Sequence, residues 1–296
     1  MEGERSERRK SEVQRAYNDV VRSCKFCKGS GMDQKESLEI EKSIPASVGL
    51  ADIDEYKNKI RLRRKTKFMK STDENQDNVS YGLCECYQRF DVMKALLIGD
   101  VPLQFLEYGP ENILAREVRF IERNASYDLG HFLNVYLGKF PSMKHDSIGM
   151  NFFGKFETGK TFVAQYLAAQ VAMRRYTVHY VPFFMLAEML YHGNESPLFH
   201  EIINVDFLVI DDIGNEHRMR REFCGELSYW LRARGAQEKV TIYVFEAEHN
   251  EPALVELYGA SFYGTACNHN MGIVFTKRPI PKSTKKRYFN RITDSL

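Results

Sequence analysis

The sequence predicts an α/β fold built on a central parallel sheet with a phosphate-binding loop, accompanied by a small N-terminal zinc-binding domain. Three observations carry this. A glycine-framed GKFETGKT loop, residues 154–161, lies between a strand-like and a helix-like segment. An apolar run, VDFLVIDDIG at 205–214, ends in paired aspartates. Four of the six cysteines fall in two tight pairs, CKFC and CEC.

The loop has the spacing G-x-x-x-x-G-K-T. In that pattern backbone N–H groups wrap a phosphate, the lysine reaches the outer phosphates and the threonine hydroxyl holds Mg2+. The residues concerned are Gly154, Lys155, Phe156, Glu157, Thr158, Gly159, Lys160 and Thr161. The pattern needs context: a strand before it, a helix after it and a downstream acid. Ser147 to Phe153 reads as a short buried strand, and Phe162, Tyr166, Ala169 and Met173 fall at helical spacing along one face of the following segment. Further strand-like runs stand at 178–184, 240–246 and 272–276. At the end of a buried parallel strand, Asp211 can hold the Mg2+ shell while Asp212 orients or deprotonates an attacking water.

The second feature is Cys24 and Cys27 followed, after a long interval, by Cys84 and Cys86. Two residues between the first pair let both thiolates face one metal, and the second pair closes a tetrahedral zinc site. Free or redox-active cysteines are the other reading of this spacing. Cys224 and Cys267 stand apart and read as packed residues. Between the pairs, residues 56–70 contain no acid, and Ile60 and Leu62 alternate with Lys59, Arg61 and Arg63. That alternation fits a basic strand, either a phosphate-contacting surface or a solvated hairpin face.

With 296 residues, 43% of them hydrophobic, the chain can bury a sizeable core. No uncharged apolar run is long enough to span a bilayer and the N-terminus has no apolar leader, so a cytoplasmic protein without a membrane partner is expected. The net charge of +2 excludes nothing. Beyond the cysteines, helical spacing up to Leu97 breaks at Gly99-Asp100 and Val101-Pro102, and about 111 to 137 again reads as helix. After the aspartates, Arg218, Arg220, Arg221, Arg232 and Arg234 lie near Phe223, Tyr229 and Trp230, a mixture that suits single-stranded nucleic acid or, equally, core packing and subunit contacts.

On the GKFETGKT loop, the aspartates of VIDDIG, the charged segment ending in WLRARG and the strand VTIYVF, the chain resembles the AAA+ helicase loaders of the DnaC and DnaI type and the IstB-like transposition helpers. The resemblance covers roughly residues 95–280, and CKFCKGSG with CEC and GDVPLQF is similar to the cysteine-bearing N-terminal regions of some loaders. It implies an AAA+ P-loop NTPase with a charged segment at 1–22, a zinc- and partner-binding module at 23–94, a linker and helical segment at 95–145 and the ATPase domain at 146–296. The implied cofactors are ATP, Mg2+ and Zn2+. The implied activity is slow ATP hydrolysis that loads a replicative DNA helicase onto single-stranded DNA during replication, with possible self-association. The alternative is an adaptor of little turnover that assists transposition or another DNA transaction.

Residue by residue, the family implies phosphate contacts from Lys160, Mg2+ ligation by Thr161 and Asp211, and catalysis by Asp212 with Lys160. Among Lys277, Arg278, Lys285, Lys286 and Arg287, Arg278 stands first as a C-terminal phosphate sensor, and a solvated basic tail is the equal alternative. Two positions depart from the pattern. The polar sensor that usually ends the strand beginning at Val240 has Glu246 as its counterpart, and Ala247 to Thr276 contains no arginine or lysine to act as a finger.

Overall fold

The computed structural model describes residues 2–24, 85–109, 113, 117–122, 125–191, 196–214, 221–267 and 269–275. The chain divides into two compact units, Met1–Lys94 and Ala95–Leu296. Within the first, α1 (Glu2–Tyr17) runs into a π-helical turn (Asn18–Arg22) that buries Val21. An Arg8–Glu12 pair at 3.0 Å spans one turn of α1. Helix α2 (Glu85–Ile98) sets Phe90 edge-on against Tyr17, ring centroids 5.2 Å apart.

The second unit is organised on a seven-stranded sheet in the order β2-β1-β7-β3-β6-β5-β4. The strands are β1 (Glu117–Phe120), β2 (Ala125–Asp128), β3 (Met150–Phe153), β4 (Val178–Pro182), β5 (Phe207–Ile213), β6 (Val240–Phe245) and β7 (Met271–Phe275). β7, β3, β6, β5 and β4 are mutually parallel. β1 is antiparallel to β7 and closes a hairpin with β2. The five parallel strands read as nearly continuous apolar runs because helices cover them on both sides.

The helices are α3 (Leu129–Gly138), α4 (Phe140–His145), α5 (Lys160–Met173), α6 (Phe183–Tyr191), α7 (Pro197–Asn204), α8 (Arg221–Ala236), α9 (Glu251–Tyr258) and α10 (Ala260–Cys267). One face of the sheet, through Val181, Leu208, Ile210, Tyr243 and Phe245, joins a core with Phe183, Phe199, Leu227, Leu254 and Phe262 from α6 to α10. On β5 the intervening residues point the other way, and Phe207 meets Phe140 of α4 with centroids 5.8 Å apart. Among the described residues no helix is long and apolar enough to cross a membrane.

Two expectations for local structure change. The segment read as helix from 111 contains the β1–β2 hairpin, and helix begins at Leu129, where the Asp128 side chain caps it by accepting the His131 N–H at 2.7 Å. The alternation that makes β1 a strand is present in EVRF: Val118 and Phe120 are buried and Arg119 is exposed. Helix α5 follows the loop as its spacing predicts, but burial is not confined to the face of Phe162, Tyr166, Ala169 and Met173: Val163, Leu167, Ala168 and Val171 are enclosed as well. Phe162 packs between Phe105 and Tyr108, at centroid distances of 5.2 and 5.5 Å, while Met173 is largely exposed.

Candidate functional site

The site forms at the C-terminal edge of β3, β6 and β5, where an open parallel sheet offers its ligand crevice. β3 ends at Phe153 and the chain turns at Gly154, with φ 149°. A Cβ there would stand 2.6 Å from the Phe275 carbonyl oxygen, so only glycine fits. In the loop that follows, Lys155 pairs with Glu248 at 3.2 Å on the surface and Phe156 projects into solvent, 66% exposed. Glu157 adopts φ 61°, and the Thr158 hydroxyl donates to the Lys155 carbonyl at 2.9 Å. Gly159, with φ 89°, then delivers the chain into the first turn of α5. The free N–H groups and partial positive charge of that helix end face the loop.

Lys160, 2% exposed, is folded back into this loop. Its ammonium donates to the carbonyls of Gly154 and Lys155, both at 2.9 Å, and to the Thr158 hydroxyl at 3.3 Å. It also pairs with Glu246 at 3.1 Å. Glu246 follows β6, the strand between β3 and β5, and that topology puts it opposite the lysine. Sequence reasoning placed Glu246 at this strand end but missed the ion pair.

Asp211 and Asp212 owe their placement to a bulge. Between Ile210 and Ile213 the β5 register slips against Tyr243 and Phe245 of β6, so three steps on one strand match two on the other. The extra residue re-aims both aspartates at the crevice, and Asp212 takes a positive φ of 61°. Asp211 is fully buried; it accepts from the Tyr180 hydroxyl at 2.9 Å, from the Asp212 N–H at 2.7 Å and from Thr161. Burial pushes the Asp211 carboxyl up despite those three hydrogen bonds, and the neighbouring Asp212 adds to the rise. Tyr180, on β4, is a site residue the sequence reading missed; the sole signal was a tyrosine within the strand VHYVP.

Carboxylate oxygens of Asp211, Asp212 and Glu246 lie within 4.8 Å of one another. Asp211 and Asp212, with the Thr161 hydroxyl bonded to Asp211, make a hard, anionic oxygen set that suits Mg2+, while Glu246 beside them is engaged by Lys160. A cation there would offset the burial that disfavours ionised Asp211. The structure thus brings Gly154 to Thr161, Asp211 and Asp212 together at one edge. Arg278, Cys27, Cys84 and residues 56–70 lie outside the described residues, as do Arg218 and Arg220 and the side chain of Arg221. Cys24 and Cys86 are both half-buried in the first unit.

The arginine and aromatic set expected to meet nucleic acid separates into different environments. Arg234 is buried and donates to the carbonyls of Ile203, Val205 and Val240 and to the Thr241 hydroxyl, so it is a core residue and not a strand contact. Trp230 packs edge-on against Phe199, centroids 5.5 Å apart, and Phe223 packs against the same core. Arg232 donates to Ser261 at 3.0 Å at the surface, and Tyr229 is 66% exposed.

A parallel sheet whose loop-bearing strand feeds a lysine into a helix N-terminus, with carboxylates at the end of a second strand, has the architecture of a P-loop nucleotide-binding domain. No protein-family model and no curated protein matches this sequence. Among solved structures it is similar to the crystal structure of the DnaC helicase loader, with 19% identity over 50% of this chain and 88% of that one, at a TM-score of 0.42. It is also similar to the crystal structure of DnaI, with 18% identity over 60% of this chain and 92% of that one, TM-score 0.45. AMPPCP-bound DnaA from Aquifex aeolicus is 17% identical over 56% of this chain and 50% of its own, TM-score 0.39.

Proposed function

We propose that this chain is a cytoplasmic AAA+ ATPase that loads a replicative helicase onto single-stranded DNA during DNA replication. The observation that supports it most is the convergence of Lys160, Thr161, Asp211 and Asp212 at one sheet edge. The loader assignment rests on the sequence resemblance in GKFETGKT, VIDDIG and WLRARG and on the paired cysteines.

In this reading the loop N–H groups and the α5 N-terminus cradle the inner phosphates, and Lys160 leaves the Gly154 and Lys155 carbonyls to reach the outer ones. Thr161 and Asp211 hold Mg2+, which when bound neutralises charge on the outer phosphate oxygens. Tyr180 fixes the Asp211 carboxylate by its hydroxyl. Asp212, turned out of β5 by the bulge, orients the attacking water and accepts its proton. Arg278 serves as the C-terminal phosphate contact, and self-association provides neighbouring subunits. Asp212→Asn should therefore bind ATP normally and hydrolyse it at least about a hundredfold more slowly, in line with loss of a positioned base. An unchanged turnover rate would remove Asp212 from that role.

Cys24, Cys27, Cys84 and Cys86 form the proposed zinc site of a partner-binding module. One zinc per chain is expected from elemental analysis of freshly purified protein, and metal-free protein contradicts the site.

The second reading, an ATP-binding adaptor of little turnover in transposition or another DNA transaction, is favoured by one observation: the acid Glu246 sits on Lys160 where the pattern has a neutral polar residue. Affinity capture with the replicative helicase and the transposase of the same source, with ATP and single-stranded DNA present, separates the two. Retention of the helicase supports the loader, and retention of the transposase alone supports the adaptor.

A further inference from the structure

Glu246 is not explained by the phosphate-loop pattern. Its N–H donates to the Ile213 carbonyl at 2.7 Å, and the next carbonyl, that of Ala247, accepts the Gly154 N–H at 2.9 Å. The backbone at 246–247 is thereby tied to the ends of both β5 and β3. The side chain is 7% exposed; Oε1 pairs with Lys160 at 3.1 Å, and Oε2 is buried with no hydrogen-bond partner among the described residues. The same carboxylate reaches to within 4.8 Å of the ligand atoms of Asp211 and Asp212.

These contacts identify what Glu246 resembles. In a phosphate loop the lysine reaches the β- and γ-phosphates, and the metal bridges their oxygens. The β-phosphate is held from the loop side, by backbone N–H groups and the helix end. An anion that touches the lysine from the opposite side, next to the metal-binding carboxylates, occupies the ground of the γ-phosphate. Here the chain supplies such an anion itself.

We propose that Glu246 is a built-in rival of the γ-phosphate, so that the site holds a nucleoside diphosphate in preference to a triphosphate. This rests on the nucleotide-binding reading above. A diphosphate brings only the β-phosphate, held from the loop side, and leaves Glu246 paired with Lys160 where the γ-phosphate would stand. A triphosphate has to take Lys160 from Glu246, which strands a buried carboxylate next to Asp211, Asp212 and the new phosphate charge. Like charges a few ångströms apart in a half-buried crevice differ enough in energy to set at least about a tenfold difference in affinity.

Calorimetric titration of the full chain with Mg2+-ADP and with the Mg2+ complex of the β,γ-methylene analogue of ATP tests this. The wild type should bind ADP at least about tenfold more tightly than the triphosphate analogue. Glu246→Gln, which keeps shape and a hydrogen-bond acceptor while removing the charge, should tighten the analogue about tenfold and change ADP less than about threefold. Triphosphate binding as tight as diphosphate in the wild type, or a variant that shifts both ligands equally, overturns the proposal. Weaker binding of both by Glu246→Gln also overturns it and makes Glu246 a cation ligand. If that variant unfolds, the wild-type ratio decides alone. Absence of binding by both ligands to either protein rejects the nucleotide site itself, whereas binding without preference leaves that site standing and rejects only the rivalry.

Discussion

Lys160→Ala should raise the dissociation constant for ATP on the order of a hundredfold or more, the equivalent of losing one or two charge-assisted hydrogen bonds of about 1.5–3 kcal/mol each. The ammonium is the sole lysine or arginine head group whose described contacts place it inside the glycine-framed loop, so no described side chain there replaces its charge. The substitution also has a structural consequence. Glu246, with a 7% exposed side chain, loses its ionic partner among the described residues and is left as a buried carboxylate beside Asp211 and Asp212. Thermal stability should therefore fall together with affinity. Adding Glu246→Gln to Lys160→Ala should recover stability while ATP affinity stays far below that of Glu246→Gln alone, which separates the phosphate role of Lys160 from its folding role. Equilibrium binding with a fluorescent ATP analogue and a melting curve on each variant supply both readings. Undiminished ATP affinity in Lys160→Ala would mean that the loop is a turn and not a phosphate site.

The parts of the site that were legible in the sequence are those fixed by local spacing. Gly154, Gly159 and Lys160 are set by one loop, and Asp211 with Asp212 by the end of one apolar run. The contacts between them were not, because they depend on strand order. β6 lies between β3 and β5, and that insertion is what carries Glu246 to Lys160. The bulge that turns out Asp212 likewise depends on how β5 meets β6 and has no signature in VIDDIG alone. In the hairpin, β2 is exposed along most of its length and offers no apolar alternation, so only β1 carried a strand signal. Helix α5 was legible as a helix, but its all-round burial was not, because that arises from the sheet, α3 and the segment around Phe105 all packing on it.

Arg234 shows how charge can be misread when residues are taken by proximity in sequence. It stands among arginines and aromatics, which suggested a nucleic-acid face, but on α8 it follows Leu227 and Leu231 at helical spacing and so continues the buried stripe. That stripe was readable and should have outweighed composition. At the end of it the guanidinium gathers three carbonyls, those of Ile203 in the last turn of α7, Val205 just after it and Val240 at the start of β6, with bonds of 2.6, 2.8 and 2.8 Å, and adds Thr241 at 3.2 Å. Burial lowers its pKa to about 10, which still leaves it charged at neutral pH.

Arg234→Met is accordingly expected to destabilise the second unit by about 2–4 kcal/mol. Methionine fills much of the same volume, but it donates no hydrogen bond, and each buried acceptor left without a partner costs roughly 1–3 kcal/mol before relaxation. The arginine's own desolvation cost is relieved in the variant, which keeps the net effect below the sum of the lost bonds. For a unit of this size the loss corresponds to a fall in melting temperature of roughly 5–15 °C. Urea unfolding should show the midpoint falling with the slope unchanged, since the same surface is exposed on unfolding. Arg232→Met is the control: that side chain is exposed, donates to the Ser228 carbonyl one turn back on its own helix and to the Ser261 hydroxyl at the surface, so its change should stay within about 0.5 kcal/mol. Equal effects from the two substitutions would show that Arg234 does not staple α7 and β6 to α8. Unaltered stability in Arg234→Met, with weakened single-strand affinity, would return the residue to the nucleic-acid surface from which its burial removes it.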